Sequence, residues 1–276
     1  MHGPNPATAP VGVFDSGVGG LSVLAEIRRH LPAEALVYVA DSGFGPYGNR
    51  TPGYIAARSA AIAEFLVREG AKAIVVACNT ATAAIAPVLR QHFLLPVIAI
   101  EPAVKPAAAA SRSRVIGVLA TQQTLESERF ARLVADHAAG ADVLAEPCQD
   151  LVEFVEQGLL TEPAVEHAVT RHVATLRRAG ADVIVLGCTH FHFLRPLVAA
   201  AAGPGATVVD PGAAVARELG RRLDTAGLRS TATRAMPVRI YTSSPAAASA
   251  ALIERLCPAP LLVSALPAEF CAAPPD

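Results

Sequence analysis

Lysine is almost missing from this chain: of its 23 basic residues only Lys72 and Lys105 are lysines. A pyridoxal-phosphate enzyme builds its Schiff base on a lysine, so that chemistry would have to run through one of these two. A basic excess is missing as well. The 23 Lys and Arg residues face 24 Asp and Glu, for a formal net charge of −1. Such a balance offers little to neutralise phosphates and argues against nucleic acid as the main partner. Paired cysteines are lacking: Cys78, Cys148, Cys188, Cys257 and Cys271 contain no CxxC motif, and their number is odd. The opening residues, MHGPNPATAP, place no basic residue before an apolar run and do not read as a signal peptide. A cytoplasmic protein with reduced thiols is therefore expected. Long apolar runs are absent too. The longest charge-free stretch, Ala73–Leu89, is broken by Asn79, Thr80 and Thr82, so no membrane-spanning helix is expected.

What the chain has is enough apolar material for a sizeable core. Hydrophobic residues make up 52% of 276 residues and charged residues 17%, which excludes a disordered tail and removes any need for disulfides or metal to fold. Short β-branched runs at 11–14, 35–39, 73–77, 96–100, 115–119, 183–187, 207–209 and 238–241 read as strands. Several are apolar at consecutive positions, as in strands buried on both faces. Between them, 21–30, 54–69, 163–179 and 213–223 have helical composition. The alternation predicts an α/β fold with mostly parallel sheets.

The sequence also repeats itself. Gly70-Ala-Lys-Ala-Ile-Val-Val-Ala-Cys78 aligns without gaps on Gly180-Ala-Asp-Val-Ile-Val-Leu-Gly-Cys188, with five of nine positions identical. Val11-Gly-Val-Phe-Asp15 echoes Ile116-Gly-Val-Leu-Ala120 upstream. Glycine and cysteine are not generic strand residues, so the echo points to two similar α/β halves, roughly 11–103 and 114–212.

In open α/β sheets, ligands gather beyond the carboxyl ends of the strands. Four polar segments stand at such ends: Asp15-Ser16-Gly17, Cys78-Asn79-Thr80, Thr121 and Cys188-Thr189-His190. Two thiols at equivalent positions of two halves suit inversion at a carbon centre, which needs a base on one face and an acid on the other. A thiol can be either, since its ordinary pKa near 8.5 is tuned by neighbours. His190 is the candidate neighbour of Cys188, placed on the same face if the strand continues. Asp15 is the candidate relay for Cys78. Cys148, Cys257 and Cys271 lack such settings and read as structural or exposed. The turn Asp15-Ser16-Gly17-Val18-Gly19-Gly20 fits neither the dinucleotide pattern, because Ser22 takes the last Gly place, nor the phosphate-loop pattern, which needs a lysine. It reads instead as an anion-holding turn at a helix N-terminus. Cys188-x-His190-x-His192 could present three metal donors from one strand, but the other half offers only Cys-Asn-Thr, so no metal is expected. His192 reads as a packed or capping residue, and His2, His30, His92, His137, His167 and His172 as solvated surface. Asp41–Arg50, rich in Gly and Pro, reads as a loop at the functional end of the sheet.

Taken together and in order, five stretches resemble the cofactor-independent aspartate/glutamate racemase superfamily, and within it the glutamate racemases. They are Val13-Phe-Asp15-Ser16-Gly-Val-Gly19-Gly20-Leu, Pro46-Tyr47-Gly48, Ala77-Cys78-Asn79-Thr80-Ala81, Leu186-Gly-Cys188-Thr189-His190-Phe and Val209-Asp210. Tyr241-Thr242-Ser243 also resembles the family's closing strand. The resemblance implies two parallel-sheet α/β domains facing each other across an active-site cleft. The first would be discontinuous, 1–103 plus 213–276, and the second 104–212. It implies racemisation of L- and D-glutamate without cofactor, supplying D-glutamate for peptidoglycan. Cys78 and Cys188 match the catalytic thiols, and Asp15 and His190 their assistants. Ser16, Tyr47, Gly48, Asn79, Thr80 and Thr189 match substrate-holding positions, as do Asp15 and His190. Thr121 and Thr124 fall near such positions, and Glu156 resembles a supporting glutamate. The family usually has Pro where His192 stands, and often Ser-Ala where Pro211-Gly212 stands. An aspartate racemase, a related two-cysteine isomerase and a nonenzymatic amino-acid binder remain alternatives, as do monomer and homodimer.

Overall fold

The computed structural model describes residues 6–236, 238–257 and 261–274, so His2 lies outside the described residues. The chain forms two compact units: Met1–Ile100 with Gly212–Asp276, and Glu101–Pro211.

In the first unit β1 (Val11–Asp15), α1 (Leu21–His30), β2 (Leu36–Ala40), α2 (Pro52–Arg68), β3 (Ala73–Val76), α3 (Asn79–His92) and β4 (Val97–Ala99) follow in order. The second unit holds α4 (Val104–Ala110), β5 (Val115–Ala120), α5 (Gln122–Leu125), α6 (Glu128–His137), β6 (Asp142–Pro147) and α7 (Gln149–Glu156). It continues with α8 (Pro163–Arg178), β7 (Val183–Leu186), α9 (Arg195–Ala202) and β8 (Thr207–Val209). The chain then completes the first unit with α10 (Gly212–Thr225), β9 (Val238–Thr242), α11 (Ala246–Leu256) and β10 (Leu262–Ala265).

The sheets are β10-β9-β2-β1-β3-β4 and β6-β5-β7-β8, and every strand pair is parallel. The order β6-β5-β7-β8 repeats β2-β1-β3-β4, so the sequence echo has a structural counterpart. It extends to register: Gly12 lies opposite Ile74 between β1 and β3, and Gly117 opposite Ile184 between β5 and β7. The two glycines share a reason. A Cβ on Gly12 would come 3.0 Å from the Cβ of Leu66, and one on Gly117 would come 2.6 Å from a methyl of Leu176. Each glycine lets its covering helix, α2 or α8, press a leucine onto the strand.

β1, β2 and β3 are buried at every position, as their unbroken apolar runs require when helices cover both faces. The two strands that composition does not reveal, β6 and β10, stand at sheet edges. β6 carries Asp142 and Glu146 and ends in Pro147; an edge strand bonded on one side tolerates this. Among the described residues no helix is long and apolar enough to cross a membrane.

Lys72 serves the fold. Its ammonium lies 2.6 Å from Glu34 Oε2 and donates to the carbonyl of Ala7 at 2.7 Å. Glu34 Oε1 accepts the Ser230 amide at 2.8 Å, which ties down the approach to β9. Both side chains of the ion pair are almost fully buried. Removing one partner strands the other charge, at a cost of about 3–5 kcal/mol. Lys72→Met should therefore lower the melting temperature by on the order of 10 °C, read by circular dichroism, and an unchanged melt would overturn this role.

Candidate active site

In the first unit, the site residues follow the ends of β1 and β3. Asp15 is fully buried, and its Oδ1 accepts the Gly17 amide at 2.9 Å and the Ser16 hydroxyl at 3.5 Å. Tyr38 Oη donates to the Gly17 carbonyl at 2.7 Å and holds the turn. Gly20 must be glycine, because a Cβ there would come 2.6 Å from the Asp15 Cβ and 2.9 Å from Tyr38 Oη. Cys78 is the N-cap of α3: its Sγ accepts the Ala81 amide at 3.4 Å and donates toward Ser16 Oγ at 3.7 Å. Negative charge on that sulfur would meet the positive end of the helix dipole. Asn79 and Thr80 are buried beside it. Both amide atoms of Asn79 lack a hydrogen-bond partner among the described residues, an uncommon state for a buried amide.

The loop 41–50 is built around an ion pair. Arg58 grips Asp41 in a fork, Nη2 to Oδ1 at 2.7 Å and Nε to Oδ2 at 3.0 Å. The guanidinium lies 3.8 Å over the Phe44 ring and donates to the carbonyls of Phe270 and Ala272. Tyr47 Oη donates to Asp41 Oδ2 at 2.5 Å. Burial first, then the Asp41 carboxylate, pushes the Tyr47 phenol well above its ordinary pKa. Its hydroxyl is thus committed to the loop, and Gly48 is buried alongside. A Cβ on Gly45 would sit only 2.0 Å from the Ser16 carbonyl, so the loop lies directly on the β1 turn.

In the second unit, β7 ends at Leu186 and Thr189–His192 forms a 3-10 turn. The expectation that an extended strand aligns Cys188 with His190 is therefore corrected: the turn brings them together, Sγ to Nδ1 at 3.5 Å. His190 Nε2 lies 2.6 Å from Glu156 Oε1. Burial opposes charge on this imidazole, but the Cys188 sulfur and the Glu156 carboxylate outweigh it and hold its pKa well above the ordinary value. Thr189 is buried. Thr121 caps α5, taking the Thr124 amide at 3.3 Å, and the two hydroxyls are 2.9 Å apart. His192 turns elsewhere, with Nδ1 2.6 Å from Asp210 Oδ2. The imidazoles of the Cys-x-His-x-His segment thus face different carboxylates, and among the described residues no group of His, Cys, Asp and Glu forms a metal cage.

A charge raised on His190 stabilises the fold only while it is present. Its contribution is full below the unfolded value near 6.5 and is lost as pH rises through the raised folded value. Glu156→Gln removes one of the groups that raise it. The imidazole titration, followed by NMR, should move to lower pH, and an unmoved titration would show that Glu156 does not support the charge.

His172 corrects another expectation, for it is buried rather than solvated. Its Nδ1 lies 2.7 Å from Glu146 Oε1 and its Nε2 3.0 Å from Asp150 Oδ1. The sequence holds a signal for this: Val165, Ala168, Val169, His172, Val173 and Leu176 form the buried stripe of α8 at helical spacing. Cys148 is fully buried between Glu146 and Asp150, and burial, then the two carboxylates, pushes its thiol far up. Among the described residues the five cysteines form no disulfide.

The family profile described as Asp/Glu/hydantoin racemase matches residues 11–219. The chain is 50% identical over 236 residues to the glutamate racemase of Ralstonia pickettii, covering 86% of this chain and 84% of that one. It is 49% identical over 263 residues to the glutamate racemase of Methylococcus capsulatus, covering 95% and 97%. Among solved structures, the glutamate racemase of Thermus thermophilus in complex with β-chloro-D-alanine superposes with a TM-score of 0.82 at 35% identity, covering 96% and 99%. On this profile and these relatives, the chain belongs to the Asp/Glu/hydantoin racemase family.

Proposed function

We propose that this protein interconverts L- and D-glutamate by a two-thiol mechanism and supplies D-glutamate for peptidoglycan. The observation that carries the reading is the placement of Cys78 and Cys188 after equivalent strands, β3 and β7, each beside a buried polar partner. The curated relatives at about half identity are glutamate racemases, and the Thermus thermophilus racemase of similar fold binds an amino-acid analogue.

One cysteine, as thiolate, removes the Cα proton. The other, as thiol, delivers its proton to the opposite face of the same carbon and is left as the thiolate for the reverse direction. By analogy with the family, Cys78 serves D-glutamate and Cys188 serves L-glutamate. Asp15 assists Cys78. His190, backed by Glu156, assists Cys188. Ser16, Asn79, Thr80 and Thr189 hold the ammonium and carboxylates, and the Asn79 amide, which has no hydrogen-bond partner among the described residues, suits that task. Tyr47 and Gly48 would act through the backbone, since the Tyr47 hydroxyl is bonded to Asp41. Donors fixed before the reaction stabilise charge as it develops. The chemistry asks for no metal, pyridoxal or nucleotide, and cysteines outside disulfides suit a cytoplasmic setting.

Polarimetry on L-glutamate and L-aspartate side by side, without added cofactor and after dialysis against chelator, tests the reading. Loss of rotation with glutamate alone is expected. Faster turnover of aspartate would reassign the substrate. Inactivity restored by pyridoxal phosphate or metal would overturn the mechanism.

A further inference from the structure

We propose that His172 is a positioning residue for the racemisation: it bolts down the start of α7 so that Glu156, at the end of α7, bears on His190. The inference rests on the racemase reading above.

Burying an imidazole costs free energy unless its nitrogens find partners. His172 occupies an apolar stripe of α8 where a leucine would serve packing, yet each ring nitrogen meets a carboxylate. Those carboxylates come from two elements. Glu146 is near the carboxyl end of β6, and Asp150 is in the first turn of α7. The same ring therefore joins the strand end to the helix start, across the turn that contains Cys148. That turn is further tied by the Cys148 thiol donating to the Glu146 carbonyl at 3.2 Å. On the solvent side Arg171 Nη2 approaches Asp150 Oδ2 at 2.7 Å and His172 Nε2 at 3.1 Å, closing the cluster.

α7 is a two-turn helix from Gln149 to Glu156. Asp150 and Glu156 are six residues apart, or about 9 Å along the axis. A helix this short moves as one piece, so tilting its first turn displaces its last residue. Glu156 meets His190 at 2.6 Å, and a hydrogen bond weakens beyond about 3.2 Å. Both ends of α7 are thus held by carboxylate–imidazole bonds, one outside the proposed catalytic set and one within it.

His172→Leu removes the bolt and keeps an apolar filling. Its kcat should fall about 10²-fold, the scale of an ångström misplacement, with KM little changed. The kinetic isotope effect with Cα-deuterated L-glutamate should rise, as in Glu156→Gln, because both weaken the assistant of Cys188. The double variant His172→Leu/Glu156→Gln should be no slower than Glu156→Gln alone, since both act through one contact. Multiplicative losses, or a kcat loss without the L-glutamate skew, would overturn the inference while leaving the racemase reading intact. Inactive wild-type protein would instead sink the racemase reading. Should His172→Leu fail to fold, Asp150→Asn, at a half-exposed position, must show the same skew and the same non-additivity. Additive behaviour in that variant overturns the inference equally.

Discussion

Cys78→Ala and Cys188→Ala should each lose racemisation by at least about 10⁴-fold, the upper end for a positioned acid–base group. A two-thiol inversion cannot be completed from one side of the carbon. Each variant nevertheless keeps one thiol, and that thiol can still take and return a proton on its own face. In D₂O, Cys188→Ala should wash the Cα proton out of D-glutamate without forming L-glutamate. Cys78→Ala should do the same to L-glutamate. Proton NMR of the Cα signal and chiral chromatography separate exchange from inversion. Racemisation surviving in either variant would mean that the missing thiol is not one of the two groups. Exchange of both enantiomers by one variant would reverse the notion that each cysteine serves one face.

Part of this candidate site is legible in the sequence itself. Strand-end placement, together with the echo of 70–78 in 180–188, singles out Cys78 and Cys188. The parallel topology and common register of β1–β3 and β5–β7 give that echo its physical meaning. Two kinds of feature were hidden. Edge strands β6 and β10 escape a reading based on apolar runs, because an edge need not be apolar. Helix α3 was also obscured. Its Cys78-Asn79-Thr80 start and internal Pro87 look like breaks in an apolar stretch, whereas Cys78 caps the helix and α3 runs on through Pro87. Tertiary ion pairs were the other loss. Asp41–Arg58 and Glu146–His172–Asp150 join residues on different elements, and no local spacing rule links them. His172 alone left a trace, as a polar residue on an apolar helical stripe. The 3-10 turn at Thr189–His192 shows the remaining limit. The turn, not alternation along a strand, brings Cys188 and His190 together, and composition does not mark where β7 ends.

Asp15→Asn and His190→Asn should slow racemisation by about 10²–10⁴-fold, the range of general acid–base assistance, equal to about 3–5 kcal/mol of barrier. What the two variants cannot do is as informative. L- and D-glutamate have equal free energies in solution, so their equilibrium constant is one. The kcat/KM values in the two directions must then remain equal in every variant, whichever residue is changed. A residue assisting one thiol cannot reveal itself in that ratio. It reveals itself in kcat for each direction and in the isotope effect from Cα-deuterated substrate, which reports the proton transfer that limits the rate. His190 is bonded to Cys188 and Glu156, so His190→Asn should raise the isotope effect with L-glutamate. Asp15 braces the Ser16–Gly17 turn beside Cys78, so Asp15→Asn should raise the one with D-glutamate. Opposite skews would assign one assistant to each thiol. The same skew in both variants, or none, would show that Asp15 and His190 act on the substrate or on the fold rather than each on its own sulfur, even with the two-thiol mechanism intact.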